Sequence, residues 1–236
     1  MSSILIKRLS IDIEKFNSSN YAENGIFIHV DETNMTNIKA LIIGAEGTPY
    51  EDGFHLFQIN IPTTYPYDPP TVKYITGDGV TRFNPNLYVE GKVCLSIIKT
   101  WPGPPWSPLF TFGTILLSIQ SMILNSEPLT NEPGLENSNK QLIKKYNDFI
   151  EHQNLKVALI DQYENIPKGF ENFKPIFTDY IHKNKLKIRE RILKLKETMD
   201  QTQISLASAF NCNVFTNYSN MLERFENIIS RKENKD

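Results

Sequence analysis

Cysteine is scarce in this 236-residue chain: there are two, Cys94 and Cys212, which excludes a disulfide-dense scaffold. No run of about 18 apolar residues is present that could span a bilayer, and the opening MSSILIKRLSIDIEK lacks the apolar core of a secretory signal. The expected setting is therefore cytoplasmic, with the nucleus also open, and reducing, so thiols stay free. Charge of one sign is missing too. With 25 basic against 27 acidic side chains the formal net charge is −2, so no net positive field draws in nucleic acid or an anionic membrane, and neither is expected as a partner. There is no GxxxxGK[ST] and no GxGxxG after a strand, hence no phosphate cradle and no expectation that the chain itself uses ATP. The histidines His29, His55, His152 and His182 are scattered, without HExxH or zinc spacing, and no metal is expected.

What is present is an ordinary globular composition, 40% hydrophobic and 22% charged. Ile4, Leu5, Leu9, Ile13 and Phe16 recur at helical spacing and predict an amphipathic first helix. Four apolar, β-branched or aromatic runs follow, at residues 26–30, 38–43, 54–61 and 71–76. No stretch between them is long enough for a crossover helix, so the spacing predicts an antiparallel meander. Residues 82–108 are rich in Pro, Asn and Gly, and so long a loop is usually functional. Residues 112–124 are apolar almost all round and predict a buried helix, capped by Thr111. Polar helices are expected at 139–159, 170–199 and 214–231. The change of character places a boundary near Asp161, giving a unit of residues 1–161 and a helical C-terminal extension of residues 162–236.

The chemistry concentrates in residues 82–97, Arg-Phe-Asn-Pro-Asn-Leu-Tyr-Val-Glu-Gly-Lys-Val-Cys-Leu-Ser-Ile. On residue type alone, Cys94 could be one more small buried apolar side chain. Its place in a Pro/Asn/Gly-rich loop, eight residues after Asn86, supports a reactive thiol instead. An amide held beside a thiolate can donate to the oxyanion formed when a thioester carbonyl is attacked. Asn86 is equally suited to a turn, bonding its own backbone.

This stretch resembles the active-site region of the ubiquitin-conjugating enzymes, which reads His-Pro-Asn, then about eight residues to a catalytic cysteine followed by leucine. Pro85, Asn86, Cys94 and Leu95 match, and Asn84 stands where the family has histidine. Residues 65–70, Tyr-Pro-Tyr-Asp-Pro-Pro, are similar to the family's Tyr-Pro-x-x-Pro-Pro loop, Trp106-Ser107-Pro108 to its Trp-Ser-Pro loop, and residues 116–121 to its second helix. Residues 83–86, the prolines between 102 and 105, and Asn131-Glu132-Pro133-Gly134 look most like the large ubiquitin-conjugating enzyme Z subgroup, a likeness that fades past Asp161.

The resemblance implies an α+β fold, with an N-terminal helix, a four-stranded antiparallel meander and packed helices. It implies that Cys94 accepts ubiquitin or a ubiquitin-like modifier as a thioester from an activating enzyme, which consumes the ATP, and passes it to a lysine of a protein substrate, directly or with a ubiquitin ligase. In that scheme Asn86 stabilises the oxyanion, Glu132 positions the incoming lysine, and Asn84 braces the loop with bonds different from those of a histidine. Lys7, Arg8, Tyr67, Ser107 and Pro108 coincide with the surfaces used for activating enzyme and ligase. No cofactor is implied. Cys212 matches nothing and reads as a bystander, and Trp101 and Trp106 read as stiffening the loop. Two rivals are a non-catalytic module that binds ubiquitin without carrying it, and a cysteine hydrolase with His152 as base. In the extension, the stripe Phe173, Phe177, Tyr180, Ile181, Ile188, Ile192 and Leu195 is expected to pack on residues 214–231 as a small helical subdomain. A chain ended near Asp161 is then expected still to charge.

Overall fold

Apolar spacing accounts for the first elements directly. Leu5, Leu9 and Phe16 form the buried stripe of α1 (Ser3–Asn17), and the strands β1 (Ile26–Asp31), β2 (Asn34–Ile43), β3 (Phe54–Asn60) and β4 (Thr71–Tyr74) follow. This computed structural model describes residues 3–31, 33–206 and 212–233. The strands pair antiparallel in the order β1-β2-β3-β4, as the short links require.

The register of β2 on β3 sorts the side chains. Ile38 faces Ile59 and Ala40 faces Phe57 on one side of the sheet, whereas Leu41 faces Leu56 and Ile43 faces Phe54 on the other. Both sides are buried. The unbroken apolar run Ala40-Leu41-Ile42-Ile43 is the mark of a strand covered on two faces. The first side joins α1, α2 (Phe112–Ser118), α3 (Lys140–Gln153) and the loop around Cys94 in one cluster. The second is covered by the chain beyond α3.

Thr111 caps α2 as expected, its side chain accepting from the Thr114 backbone N–H. The helix widens to i+5 hydrogen bonding over Ile119–Ile123. It is not buried all round: Phe112, Ile115, Leu116, Ile119 and Ile123 face the core, while Leu117 and Met122 are exposed. Helix α3 starts at the Asn139 cap, widens over Asn154–Asp161 and ends in the single turn α4 (Gln162–Glu164). Asp161 thus lies within a continuous helical run. Leu155, Leu159 and Ile160, before it, share a cluster with Phe170, Phe173 and Phe177, after it, and with Leu41, Ile43, Phe54 and Leu56 of the sheet.

The extension contains α5 (Lys174–Met199) and α6 (Tyr218–Glu233), which pack together as their apolar stripes predict. Two features differ from the sequence reading. The α5 stripe also lies on the sheet, where Phe177 stacks on Phe54 with ring centroids 4.0 Å apart. The extension is also not wholly helical, because β5 (Gln203–Leu206) and β6 (Cys212–Phe215) form an antiparallel pair. Ile204 and Leu206 are buried and alternate with Gln203 and Ser205, a period of two that the surrounding Ser and Asn residues obscure.

Candidate active site

The loop that carries Cys94 has almost no regular structure, so its shape is set by individual hydrogen bonds. Gly91 makes its tight turn at φ +94°, with its carbonyl accepting from Tyr74 N at 2.8 Å. A Cβ there would lie 2.6 Å from Tyr74 O, which leaves only glycine. Thr100 closes the other side: its hydroxyl donates to Val93 O at 2.7 Å and accepts from Leu95 N at 2.9 Å. Between these fixed points Cys94 donates its backbone N–H to Asn86 O at 2.9 Å, and Asn86 Nδ2 donates to Cys94 O at 2.8 Å. Asn86 and Cys94 are thereby clasped face to face, across eight residues of chain.

Asn84, which stands where histidine was expected, is fully buried, and its amide is saturated. Nδ2 donates to Tyr50 Oη at 2.9 Å and to Ile123 O at 2.7 Å, while Oδ1 accepts from Asn86 N at 2.8 Å and from Asn131 Nδ2 at 3.3 Å. An amide has two donors and two acceptor lone pairs, and all four are used. Neutral imidazole has one of each. One of these bonds also helps to close the helix: Ile123 O is a carbonyl at the C-terminal end of the run that continues α2, and the neighbouring Met122 O is met separately by Asn131 Nδ2 at 3.0 Å.

Cys94 is 1% exposed and lies at the floor of a groove of about 280 Å³. Asn86 and Asn131 form its polar side, and Leu95, Trp101, Pro102 and Ile123 its apolar side. No histidine or carboxylate lines it among the described residues. His152 is buried elsewhere, with Nδ1 2.9 Å from Gln153 Oε1, Nε2 accepting from Asn217 N at 3.3 Å and its ring edge-on to Tyr218. Glu132 follows the short turn Pro128–Asn131, one residue beyond the groove-lining Asn131. Cys212 is buried in β6, where desolvation pushes its thiol up to about 12, as suits an inert residue.

The residues expected to meet partners are drawn onto one face by internal bonds. Trp106 Nε1 donates to Pro66 O at 2.7 Å, tying the Trp-Ser-Pro loop to the loop of Tyr67. Arg8 donates from Nη1 to Pro108 O at 2.9 Å and from Nη2 to Phe110 O at 3.0 Å, tying α1 to the same place. Arg8 also pairs with Asp12 at 2.8 Å, so its guanidinium fastens the fold instead of standing free. Lys7, Tyr67 (76% exposed) and Pro108 are exposed, Ser107 is half-buried, and Leu109, which sequence reasoning passed over, is 88% exposed. Tyr50 and Asn131 were also missed. Asn131 heads the quoted Asn-Glu-Pro-Gly stretch, which is the signal that could have found it, whereas Tyr50 carried none.

A helix, an antiparallel meander, packed helices and a lone cysteine in a loop after β4 define a UBC-type fold. The ubiquitin-conjugating enzyme family profile matches residues 8–157. Among named relatives, ubiquitin-conjugating enzyme E2 Z of Homo sapiens is 47% identical over 142 residues, covering 59% of this chain and 40% of that protein. Probable ubiquitin-conjugating enzyme protein 17 of Caenorhabditis elegans is 41% identical over 182 residues, 73% of this chain and 24% of that one. A crystal structure described as a ubiquitin conjugating enzyme from Plasmodium yoelii superposes with a TM-score of 0.53 at 29% identity, over 67% of this chain and 97% of that one. The chain belongs to the ubiquitin-conjugating enzyme family. Its match spans less than half the length of these two named relatives. Among the described residues no helix is long and apolar enough to cross a membrane.

Proposed function

We propose that the chain carries ubiquitin or a ubiquitin-like modifier as a thioester on Cys94 and transfers it to a lysine. The observation that carries this reading is the clasp of Asn86 to Cys94 in a groove that no histidine or carboxylate lines among the described residues. Thioester exchange needs a thiolate fraction and no strong base, because one thiolate replaces another at the acyl carbon. The neutral lysine amine then attacks that carbon, the tetrahedral oxyanion forms, and its collapse expels the Cys94 thiolate while the nitrogen gives its extra proton to solvent, leaving an amide and a free thiolate. One N–H of the Asn86 amide holds Cys94 O, and the other is the donor for the oxyanion. Glu132 is the acidic group for the incoming lysine. Residues 1–161 supply the chemistry. The modifier arrives from an ATP-consuming activating enzyme, and activating enzyme and ligase dock on the face of Lys7, Tyr67, Ser107 and Pro108, in the cytoplasm, with the nucleus also open.

The hydrolase reading loses support because His152 is engaged by Gln153 and Asn217 and does not line the groove, and the non-catalytic module from the presence of Cys94. The test is a chase. The full chain, loaded with modifier and freed of activating enzyme, is mixed with free lysine; thioester should disappear as the lysine adduct appears. Loaded chain that releases only free modifier at the same rate with and without lysine would defeat the proposal.

A further inference from the structure

The turn between β2 and β3 faces two ways. Tyr50, fully buried, points to the cysteine loop: its hydroxyl donates to Phe83 O at 2.7 Å and accepts from Asn84 Nδ2 at 2.9 Å. The next two residues point to α5. Tyr180 donates its hydroxyl to Asp52 Oδ1 at 2.7 Å, and Arg191 Nη1 donates to Asp52 Oδ2 at 3.1 Å and to Glu51 O at 3.0 Å. Arg191 Nε holds Glu151 at 2.9 Å, and Lys187 pairs with the Glu51 carboxylate at 2.9 Å. The Asp52 side chain is 1% exposed, so it depends on these partners: stripped of them it would be a buried charge without compensation.

The turn is also stiff. Gly44 N donates to Gly53 O at 2.9 Å and Asp52 N to Gly44 O at 3.2 Å, and Asp52 sits in the left-handed region at φ 65°. The backbones approach so closely that a Cβ on Gly44 would fall 1.7 Å from Tyr50 O. This turn ties residues 50–52 tightly together, so a displacement of Asp52 is expected to carry the Tyr50 hydroxyl with it.

We propose that α5 positions the transfer site through this turn, with Arg191 and Tyr180 acting on Asp52, Tyr50 on Asn84, and Asn84 on Asn86 beside Cys94. Tyr50, Tyr180 and Arg191 are then positioning residues, and the proposal rests on the thioester reading above. Tyr180 and Arg191 hold Asp52 in parallel and the turn itself joins Asp52 to Tyr50, but from Tyr50 to Asn84 and from Asn84 to Asn86 the path is one hydrogen bond at a time, in series. Breaking any one should loosen the same amide, and breaking two should do little more than breaking one.

The test uses the full chain with Tyr50→Phe and Tyr180→Phe, which keep the rings and remove one hydroxyl each, and their double variant. Asp52→Asn serves as an isosteric second probe of the clamp. Two readouts are taken: the side-chain amide ¹H–¹⁵N resonances of Asn84 and Asn86 in the uncharged protein, and single-turnover discharge across a range of lysine concentrations. Tyr50→Phe should shift both amides and slow maximal discharge about tenfold, the size expected for one lost neutral hydrogen bond, without raising KM for lysine. Tyr180→Phe and Asp52→Asn should shift the Asn86 amide the same way by less, and the double variant should be no slower than Tyr50→Phe alone. An Asn86 resonance unmoved by both Tyr180→Phe and Asp52→Asn, or losses that multiply in the double variant, would overturn the series. Because the resonances need no charging, a native chain that fails to charge refutes the thioester reading and leaves the positioning test intact.

Discussion

The cysteine loop and the α5 stripe are both buried, but they are held by opposite means. Around Cys94 the restraints are single polar contacts: four to the Asn84 amide, two across the Asn86 clasp, three on the Thr100 hydroxyl. Under α5 the restraints are apolar area, with Phe177, Ile181, Ile188 and Ile192 set on Leu41, Ile43, Phe54 and Leu56. Apolar packing is non-directional and degrades in proportion to the area lost. A polar network fails at one atom, because each unpaired partner keeps its desolvation cost. Loss of apolar area under α5 should therefore cost stability, whereas loss of polar contacts, in the loop or from Tyr180 and Arg191 to Asp52, should cost chemistry.

The sharpest way to break that contrast is to end the chain at Asp161. That uncovers the second face of the sheet and strips Asp52 of Arg191 and Tyr180. In place of the continued charging that the sequence alone suggests, the expected outcome is loss of soluble, cooperatively melting protein, read by size exclusion and thermal unfolding. A truncated chain that melts and charges like the full one would show that the cover is dispensable.

A second, smaller effect is acid sensitivity. His55 lies beneath the cysteine loop with Nδ1 2.9 Å from Tyr74 Oη and Nε2 3.1 Å from Asn154 Oδ1, and desolvation lowers its pKa from 6.5 to about 4. The unfolded chain thus takes up a proton that the folded chain refuses between those values, so stability is full above pH 6.5 and falls as the pH drops towards 4. The loss should be roughly 3 kcal/mol, seen in denaturant midpoints, and His55→Gln should flatten that slope. An unchanged slope would place the sensitivity elsewhere.

Asn86→Ala removes the side-chain half of the clasp, leaving the backbone bond from Cys94 N to Asn86 O, and with it the proposed oxyanion donor. Charging should persist while discharge to free lysine slows about 10²-fold, the usual cost of one lost donor. Equal loss of both steps would make Asn86 purely structural. Asn84→His should be milder, about tenfold in discharge, yet not neutral. Neutral imidazole offers one donor and one acceptor to four partners, so at least two go unpaired. Discharge at the native rate would show that the saturated amide is not needed.

How far the sequence could be read follows the same division. The α1 stripe, the four strands and the α5 stripe were legible because burial on one face imposes a period of 3.6 or 2. The second covered face of the sheet was written in the unbroken run at residues 40–43, but a short apolar run does not say what covers it. The hairpin of Ile204 and Leu206 escaped because each of its strands is four residues long. In the site, the pairing of Asn86 with Cys94 was legible from their spacing together with the family resemblance, since the loop between them closes on itself. Arg8 was read as part of the surface that meets activating enzyme and ligase, but its bonds run to carbonyls 100 and 102 residues away, and pattern cannot see such partners. Tyr50 was hidden for the same reason, because its role depends on bonds to Phe83 and Asn84 across the fold.

The central claim, that Cys94 is the acyl carrier, is tested most directly by charging. The full chain, Cys94→Ser and Cys212→Ser are each incubated with ubiquitin or another modifier, ATP and the matching activating enzyme, then run on gels with and without thiol. The native chain and Cys212→Ser should form an adduct that thiol removes, and Cys94→Ser an adduct that thiol leaves intact, because the oxyester resists exchange. A thiol-sensitive adduct on Cys94→Ser, or no adduct on the native chain with any modifier, would contradict the account.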